Sequence, residues 1–233
     1  MHQARWGKVC GGKGYPFALC ENMDNYALVE KYKNNWRKNM QKLFDVGLHP
    51  EQMLAELPGF MSKISDLATT LGIDLTPYQA DHIALRVNDH ELAKALHQAW
   101  LAYGDEWSNN EINGRPIIVI GFTQPLEVGG WTIEALELPY PSDKVYPQQG
   151  WEHVEFVIPS QAATTDELQE DLAVLLPTLA WGALAEHGIK VKASSPSGEH
   201  ERLANPTYAF KQDNLCIKLH PCSLKAVIDS EIA

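Results

Sequence analysis

The sequence predicts an α+β fold: paired βαβββ modules forming a curved mixed sheet with a cleft, plus N-terminal helices. Three observations predict it. Asp81-His82-Ile83-x-Leu85 is echoed by Glu152-His153-Val154-x-Phe156, the two histidines standing 71 residues apart (82 and 153). Each copy reads as a strand, then a helical period, then about three strand-like runs, and a βαβββ unit of ordinary elements needs about that length. The composition is globular, with 45% hydrophobic and 21% charged residues in 233. A chain of this size closes a core without disulfide staples.

The first forty residues hold many Lys, Asn and Trp and carry no sustained period. Residues 1–39 are therefore expected to be a poorly structured extension, with Met40 a candidate start of translation. Gly7-x4-Gly12-Lys13 nearly matches a phosphate loop, but Gly14 stands where Ser or Thr is required and no strand leads in. It is read as a coincidence. Residues 40–233 are read as a single domain with a helical addition at 50–72, module one at 80–140 and module two at 150–220. Pro50-Glu51 opens a short helix with Met53, Leu54 and Leu57. Pro58 opens a second, with Phe60, Met61, Ile64, Leu67, Ala68 and Leu71 on one face and Gly72 as its stop.

Ala80–Val87 alternates, with Ile83, Leu85 and Val87 on one side and His82, Ala84 and Arg86 on the other. His90–Tyr103 reads as a helix. A turn at Asn113-Gly114 follows a strand end, and Ile117–Phe122 and Trp131–Leu138 read as strands. The order then repeats: strand 151–158, helix 165–176 capped by Thr164 or Thr165, strand 188–193, and a hairpin of 207–210 with 215–219 around Asp213-Asn214.

Several classes are excluded. A net charge of −11 and a pI near 5.2 oppose nucleic acid as a main partner. No apolar run nears the roughly 18 residues of a membrane span, and the N-terminus has no apolar leader, so a cytoplasmic protein is expected. Cys10, Cys20, Cys216 and Cys222 form no Cys-x-x-Cys pair, which argues against a disulfide scaffold or zinc ribbon.

His82 and His153 lie opposite the apolar face of equivalent strands, so the two imidazoles are expected to converge across the cleft. Glu137 is the candidate carboxylate, although its parity matches apolar Ile133 and Ala135, so it needs a bulge or twist at the strand end to turn inward. Glu134 and Glu155 are rivals. Two imidazoles and a carboxylate accept Zn, Ni, Fe(II), Co or Mn. Arg86 shares a face with His82, and Lys218 with His220. Such cations suit a small carboxylate or enolate. Arg115 and Arg202 are weaker candidates, and Ser194-Ser195-Pro196-x-Gly198 is expected to loop over the cleft mouth.

The order of elements resembles the vicinal oxygen chelate superfamily of glyoxalase I, bleomycin-resistance proteins and extradiol dioxygenases. Within it the chain looks like the YecM family. The runs that carry this are ADHIALR (80–86), NGRPI (113–117), ELPYP (137–141), YPQQGWEHVEFVIP (146–159), SSPSGEHERLANPT (194–207) and IKLHP (217–221). The resemblance implies metal positions on the first, fourth, fifth and eighth strands, matched by His82, Glu137 and His153 on the first three. On the eighth, Lys218 occupies the usual glutamate place and cannot ligate. His220, two residues on, is the candidate substitute. The departure puts ordinary glyoxalase chemistry in doubt, because that glutamate also serves as a proton-transfer base.

The expected protein therefore binds one divalent metal ion through His82, Glu137, His153 and His220. Arg86, Lys218 and Glu155 are its expected substrate contacts. It is read as a metal-dependent enzyme on a small oxygen-rich, anionic substrate, with an isomerase or lyase favoured. The alternatives are an Fe(II)-dependent oxygenase and a non-catalytic protein binding a small ligand in the same cleft. A small molecule is the expected partner, with a homodimer compatible and neither nucleic acid nor membrane.

Overall fold

The computed structural model of the chain describes residues 26–112, 114–195 and 203–232. Helix α1 runs Tyr26–Asp45 and α2 Pro50–Leu71. Module one is β1 Gln79–Arg86, α3 His90–Trp100, β2 Gly104–Ile112, β3 Arg115–Val128 and β4 Trp131–Pro139. Module two is β5 Gly150–Val157, α4 Thr165–Leu175, β6 Lys190–Ser194, β7 Thr207–Gln212 and β8 Leu215–His220. Helix α5, Leu224–Ile232, closes the described chain. Among the described residues no helix is long and apolar enough to cross a membrane.

All eight strands form one mixed sheet in the order β2-β3-β4-β1-β5-β8-β7-β6. The expected α+β architecture of paired βαβββ modules is the one observed. Each module places its strands in the same order, and β1 pairs antiparallel with β5 at the centre, flanked by parallel β4 and β8. That arrangement relates the modules by an approximate two-fold axis between β1 and β5.

One face of the sheet packs on helices. Ile83, Leu85, Leu136, Leu138, Val154, Phe156, Ile217 and Leu219 join α2, α3 and α4 in one buried core. Two tryptophans pin α2 to the sheet through their ring N–H groups: Trp151 donates to the Met53 carbonyl (2.8 Å) and Trp131 to the Leu75 carbonyl just beyond the helix (3.2 Å). The opposite face carries the polar side chains of the cleft. Part of that face is apolar and covered by α5, where Val119, Ala135 and Ile228 cluster with Trp107 and Leu224.

Three expectations are corrected. The chain is helical from Tyr26, not poorly structured to residue 39, because 26–45 contains neither Gly nor Pro and Trp36, Met40 and Leu43 fall on one helical face. The predicted helix pair at 50–71 is one helix with Pro58 inside it. Apolar contacts on both sides, from Met53 and Leu57 to Met61 and Ile64, hold it through the missing N–H. Strand β3 extends to Val128, beyond the expected Phe122. Helix α5 lies outside the patterns read above. Residues 1–25, Asn113, and residues 196–202 with Arg202 lie outside the described residues, as do the phosphate-loop-like motif, Cys10 and Cys20.

Two glycines sit where strands leave no room. A Cβ on Gly104 would lie 2.1 Å from the Gly121 carbonyl oxygen, and one on Gly121 1.7 Å from the Trp107 ring. Backbone cannot yield as an indole can. Gly104→Ala should therefore lower the melting temperature more than Gly121→Ala, with a loss of about 1–3 kcal/mol typical of overpacking; thermal unfolding followed by circular dichroism checks the order.

Candidate metal centre

The centre is built from register. Pairing of β1 with β5 slips twice, between Ala80 and His82 and between Ala84 and Leu85. The first slip leaves Asp81 as the extra residue, and the second leaves Glu152 opposite no partner. Each bulge brings an acid beside the histidine that follows it. The Asp81 carboxylate accepts from His82 Nδ1 at 2.9 Å. The Glu152 carboxylate accepts from His153 Nδ1. These bonds fix a ring proton on Nδ1 and turn the Nε2 edge of both rings into the cleft, the carboxylate–imidazole device that orients metal-binding histidines.

Glu137 reaches the same place where the pairing of β3 with β4 is irregular. Between Gly121 and Leu126 the pairing with β4 slips, while β4 moves only from Ala135 to Ile133. Ile133 and Leu136 then both join the helix-side core, whereas Ala135 joins the cleft-side cluster. The alternation reverses between 133 and 135, so Glu137 turns into the cleft and Glu134 stays exposed. The required bulge thus lies within the strand, not at its end.

His82, Glu137, His153 and Glu155 place one ligand atom each within 4.8 Å of one another. Glu137 oxygens lie 3.8 Å from His82 Nε2 and 4.0 Å from His153 Nε2. Glu155 Oε1 lies 3.3 Å and 3.1 Å from the same nitrogens. His82 Nε2 is buried and has no hydrogen-bond partner. Two imidazole nitrogens and two carboxylates at these spacings fit one borderline divalent ion, whose ligands stand about 2.0–2.2 Å from it.

Glu155 enters this group, and His220 stands beside it. His220 Nε2 is 3.7 Å from Glu155 Oε2 and 3.8 Å from Asp81 Oδ2. The repeat explains the exchange. Glu137 pairs with Ala84, two residues past His82, and Lys218 pairs with Glu155, two residues past His153. Glu137 and Lys218 are therefore equivalent positions, as are Ala84 and Glu155. Module two has its carboxylate one strand over, and Lys218 Nζ binds Glu155 Oε1 at 2.5 Å. Arg86 is engaged rather than open to the cleft: Nη2 meets Glu152 at 3.1 Å and the guanidinium lies over the Tyr146 ring. Lys211 completes the pair with Glu152 at 3.1 Å. Arg115 bonds the Tyr140 carbonyl at the far end of β4. The sequence does not single out Asp81 and Glu152 as partners of the centre, although the repeat carries the signal: an acid precedes the histidine in both copies.

Electrostatics follow from this packing. Burial works against an imidazolium at His82, but Glu155 and Asp81 outweigh it and hold the proton to about 10. Burial opposes the Glu155 carboxylate, yet Lys218 and His82 hold it well below the usual range. Glu137 is lowered against burial by Lys218, His153 and His82. Glu152 is likewise held low by His153, Arg86 and Lys211. Burial disfavours the Lys218 ammonium, but Glu155 and Glu137 raise it to about 12. Burial pushes the Cys216 thiol up to about 12, which removes it as a nucleophile.

The family model for "YecM protein" matches residues 49–231. The chain belongs to the YecM family. It is 39% identical to Protein YecM of Escherichia coli K12 over 181 residues, covering 78% of this chain and 93% of that one. An uncharacterised protein of Haemophilus influenzae is 35% identical over 176 residues, 73% and 89% of the two chains. The solved structural-genomics Protein EC4020 superposes with a TM-score of 0.66 at 34% identity, covering 84% of this chain and 96% of that one. The YecM match includes both histidine strands, Glu137, Lys218 and His220, and begins at the cap of α2.

Two measurements check the centre. Stability supplied by Glu152 and Glu155 is present above their ordinary value of 4.5 and is lost as pH falls from there toward their depressed folded values. Stability from His82 is full below 6.5 and is lost as pH rises toward about 10. Metal-free protein should thus melt highest between these limits and fall on both sides. Asp81→Asn and Glu152→Gln should each weaken metal affinity about 10–100-fold by calorimetry, with no comparable change in His90→Ala at the exposed start of α3.

Proposed function

We propose that this YecM-family protein is a metal-dependent enzyme of the vicinal oxygen chelate type, acting as an isomerase or lyase on a small anionic, oxygen-rich substrate. The observation that carries it is the convergence of His82, Glu137, His153 and Glu155 at the junction of the two modules. The duplicated βαβββ order supports the superfamily reading, with ligands on β1, β4 and β5 as the resemblance implies.

The bound ion supplies Lewis-acid polarisation of two neighbouring substrate oxygens. The chain does the rest. Lys218 is the cation left for the substrate, because Arg86 is spent on Glu152. Its ammonium, fixed by Glu155 and partly exposed, holds a substrate carboxylate or the oxyanion that develops on enolisation. Glu137 is the more exposed carboxylate of the group, its side chain 17% accessible against 9% for Glu155. We assign it the proton: it takes one from the carbon beside the substrate carbonyl and returns it to the product. Asp81 and Glu152 keep both imidazoles in the tautomer that presents Nε2.

The test begins with metal analysis of protein purified without affinity tag or added metal, followed by small 2-oxo and 2-hydroxy carboxylates in deuterium oxide with Zn, Ni, Co, Mn or Fe(II). Bound metal, deuterium at the carbon next to the carbonyl, and loss of exchange in Glu137→Gln are expected. His153→Ala should lower metal content strongly. Absence of binding by any of these ions would sink the reading. Oxygen uptake with Fe(II) alone would replace it with an oxygenase, which the two imidazoles and carboxylate also suit. Stabilisation by carboxylates without turnover would replace it with a binding protein.

A further inference from the structure

His220 is the side chain that the first centre does not use. Its Nδ1 lies 2.6 Å from the Cys222 carbonyl. A carbonyl only accepts, so the ring proton sits on Nδ1 and Nε2 carries a lone pair. Asn205 locks this arrangement, donating to the Cys222 carbonyl and accepting from the Cys222 amide, each at 3.0 Å. Nε2 is buried and has no hydrogen-bond partner. It faces two acids, Glu155 Oε2 at 3.7 Å and Asp81 Oδ2 at 3.8 Å.

A lone pair and two carboxylates converging out of water need a positive charge among them. A proton does not serve, because an N–H···O bond spans about 2.7–3.2 Å. Two ligands of one ion, each about 2.0–2.2 Å from it, stand much nearer the observed separations. Each acid keeps one oxygen without a hydrogen bond among the described residues, Glu155 Oε2 facing His220 directly and Asp81 Oδ1 beside the Oδ2 that faces it. Glu155 binds Lys218 and faces the first centre through Oε1. Asp81 spends Oδ2 on His82 Nδ1 and the Leu224 amide, and its Oδ1 has no hydrogen bond among the described residues.

We propose that Asp81, His220 and Glu155 Oε2 form a second cation site, with Glu155 bridging it to the first. One imidazole and two carboxylates select the same borderline divalent ions as the first centre, Mn, Fe(II), Co, Ni or Zn. The second ion adds charge to a cluster that the first ion has already made positive, so it binds more weakly than the first. It rests on the reading above only through Glu155, which both ions share. A pair of ions can hold both oxygens of a carboxylate or both partners of a displacement.

Manganese is the probe. Titration of metal-free protein should reach two equivalents by calorimetry and by metal analysis after gel filtration, with an exchange-coupled Mn(II) spectrum at the second equivalent. His220→Ala and His220→Gln should keep the tight equivalent, lose the weak one and show only the uncoupled six-line signal. The wild-type titration needs no variant, so it decides even if neither His220 variant folds. Saturation of the wild type at one equivalent overturns the second site and leaves the first centre standing. So does loss of the tight equivalent in folded His220 variants, since His220 would then be the fourth ligand of a single ion. No equivalents in the wild type overturn both this site and the proposed function.

Discussion

Everything about this molecule is arranged around the burial of four carboxylates against one face of a sheet. Asp81, Glu152 and Glu155 are buried and Glu137 nearly so. An isolated ionised carboxylate in such a place would lose its charge. Here three have a donor or cation in contact, His82 for Asp81, His153 with Arg86 and Lys211 for Glu152, and Lys218 for Glu155, while Glu137 stands 3.8 Å from His82 Nε2 and 4.0 Å from His153 Nε2. The helix-side core therefore does more than stabilise the fold. By fixing the strands from behind, through Trp131, Trp151 and α2, it prevents the rearrangement that would otherwise let these charges reach water.

Duplication supplies the geometry, and departures from it supply the chemistry. Antiparallel pairing of β1 with β5 brings equivalent histidines to 6.3 Å between ring centroids. Two bulges in that pairing give each histidine its own acid. At the neighbouring level the modules diverge, with Glu137 and Ala84 in one answered by Lys218 and Glu155 in the other. A strictly symmetric site would hold either two glutamates on the outer strands or none. The swap keeps the carboxylate count while placing a lysine beside it, so one rim of the centre is cationic. The module-one flank is closed differently, by α5 docking its apolar face on Val119 and Ala135 and accepting Asp81 as the partner of its first amide.

Much of this was legible in the residues. Period-two alternation placed His82, Arg86, Glu155 and Lys218 on polar faces, and the 71-residue echo paired the two histidine strands. What the residues hid was register. Glu137 read as an apolar-face residue because the alternation of β4 reverses between Ile133 and Ala135, where its pairing with β3 is irregular. The bulges at Asp81 and Glu152 are invisible to period for the same reason. Period also failed where charge obscured it: α1 carries Trp36, Met40 and Leu43 at helical spacing amid Lys and Asn. Pro58 suggested a boundary that burial on both of its sides overrides. The choice between His220 and Glu155 was not decidable from spacing, since it depends on which strand each side chain leans from.

The sign of the ligand follows from counting the charges. Asp81, Glu137, Glu152 and Glu155 face Arg86, Lys211 and Lys218 across the cluster. The one negative charge left over is met, without an ion, by the proton that Glu155 and Asp81 hold on His82. A divalent ion at His82 Nε2 would displace that proton and bring two positive charges for one lost. The loaded centre is then positive, in a place too dry for bulk water to compensate. Neutral ligands would leave that charge unmet. An anion with two oxygens would meet it, and Lys218, held on the open side of Glu155, gives such an anion a second point of attachment. The anionic substrate proposed above would answer the same constraint that shaped the fold: charge buried on this sheet must be balanced on this sheet.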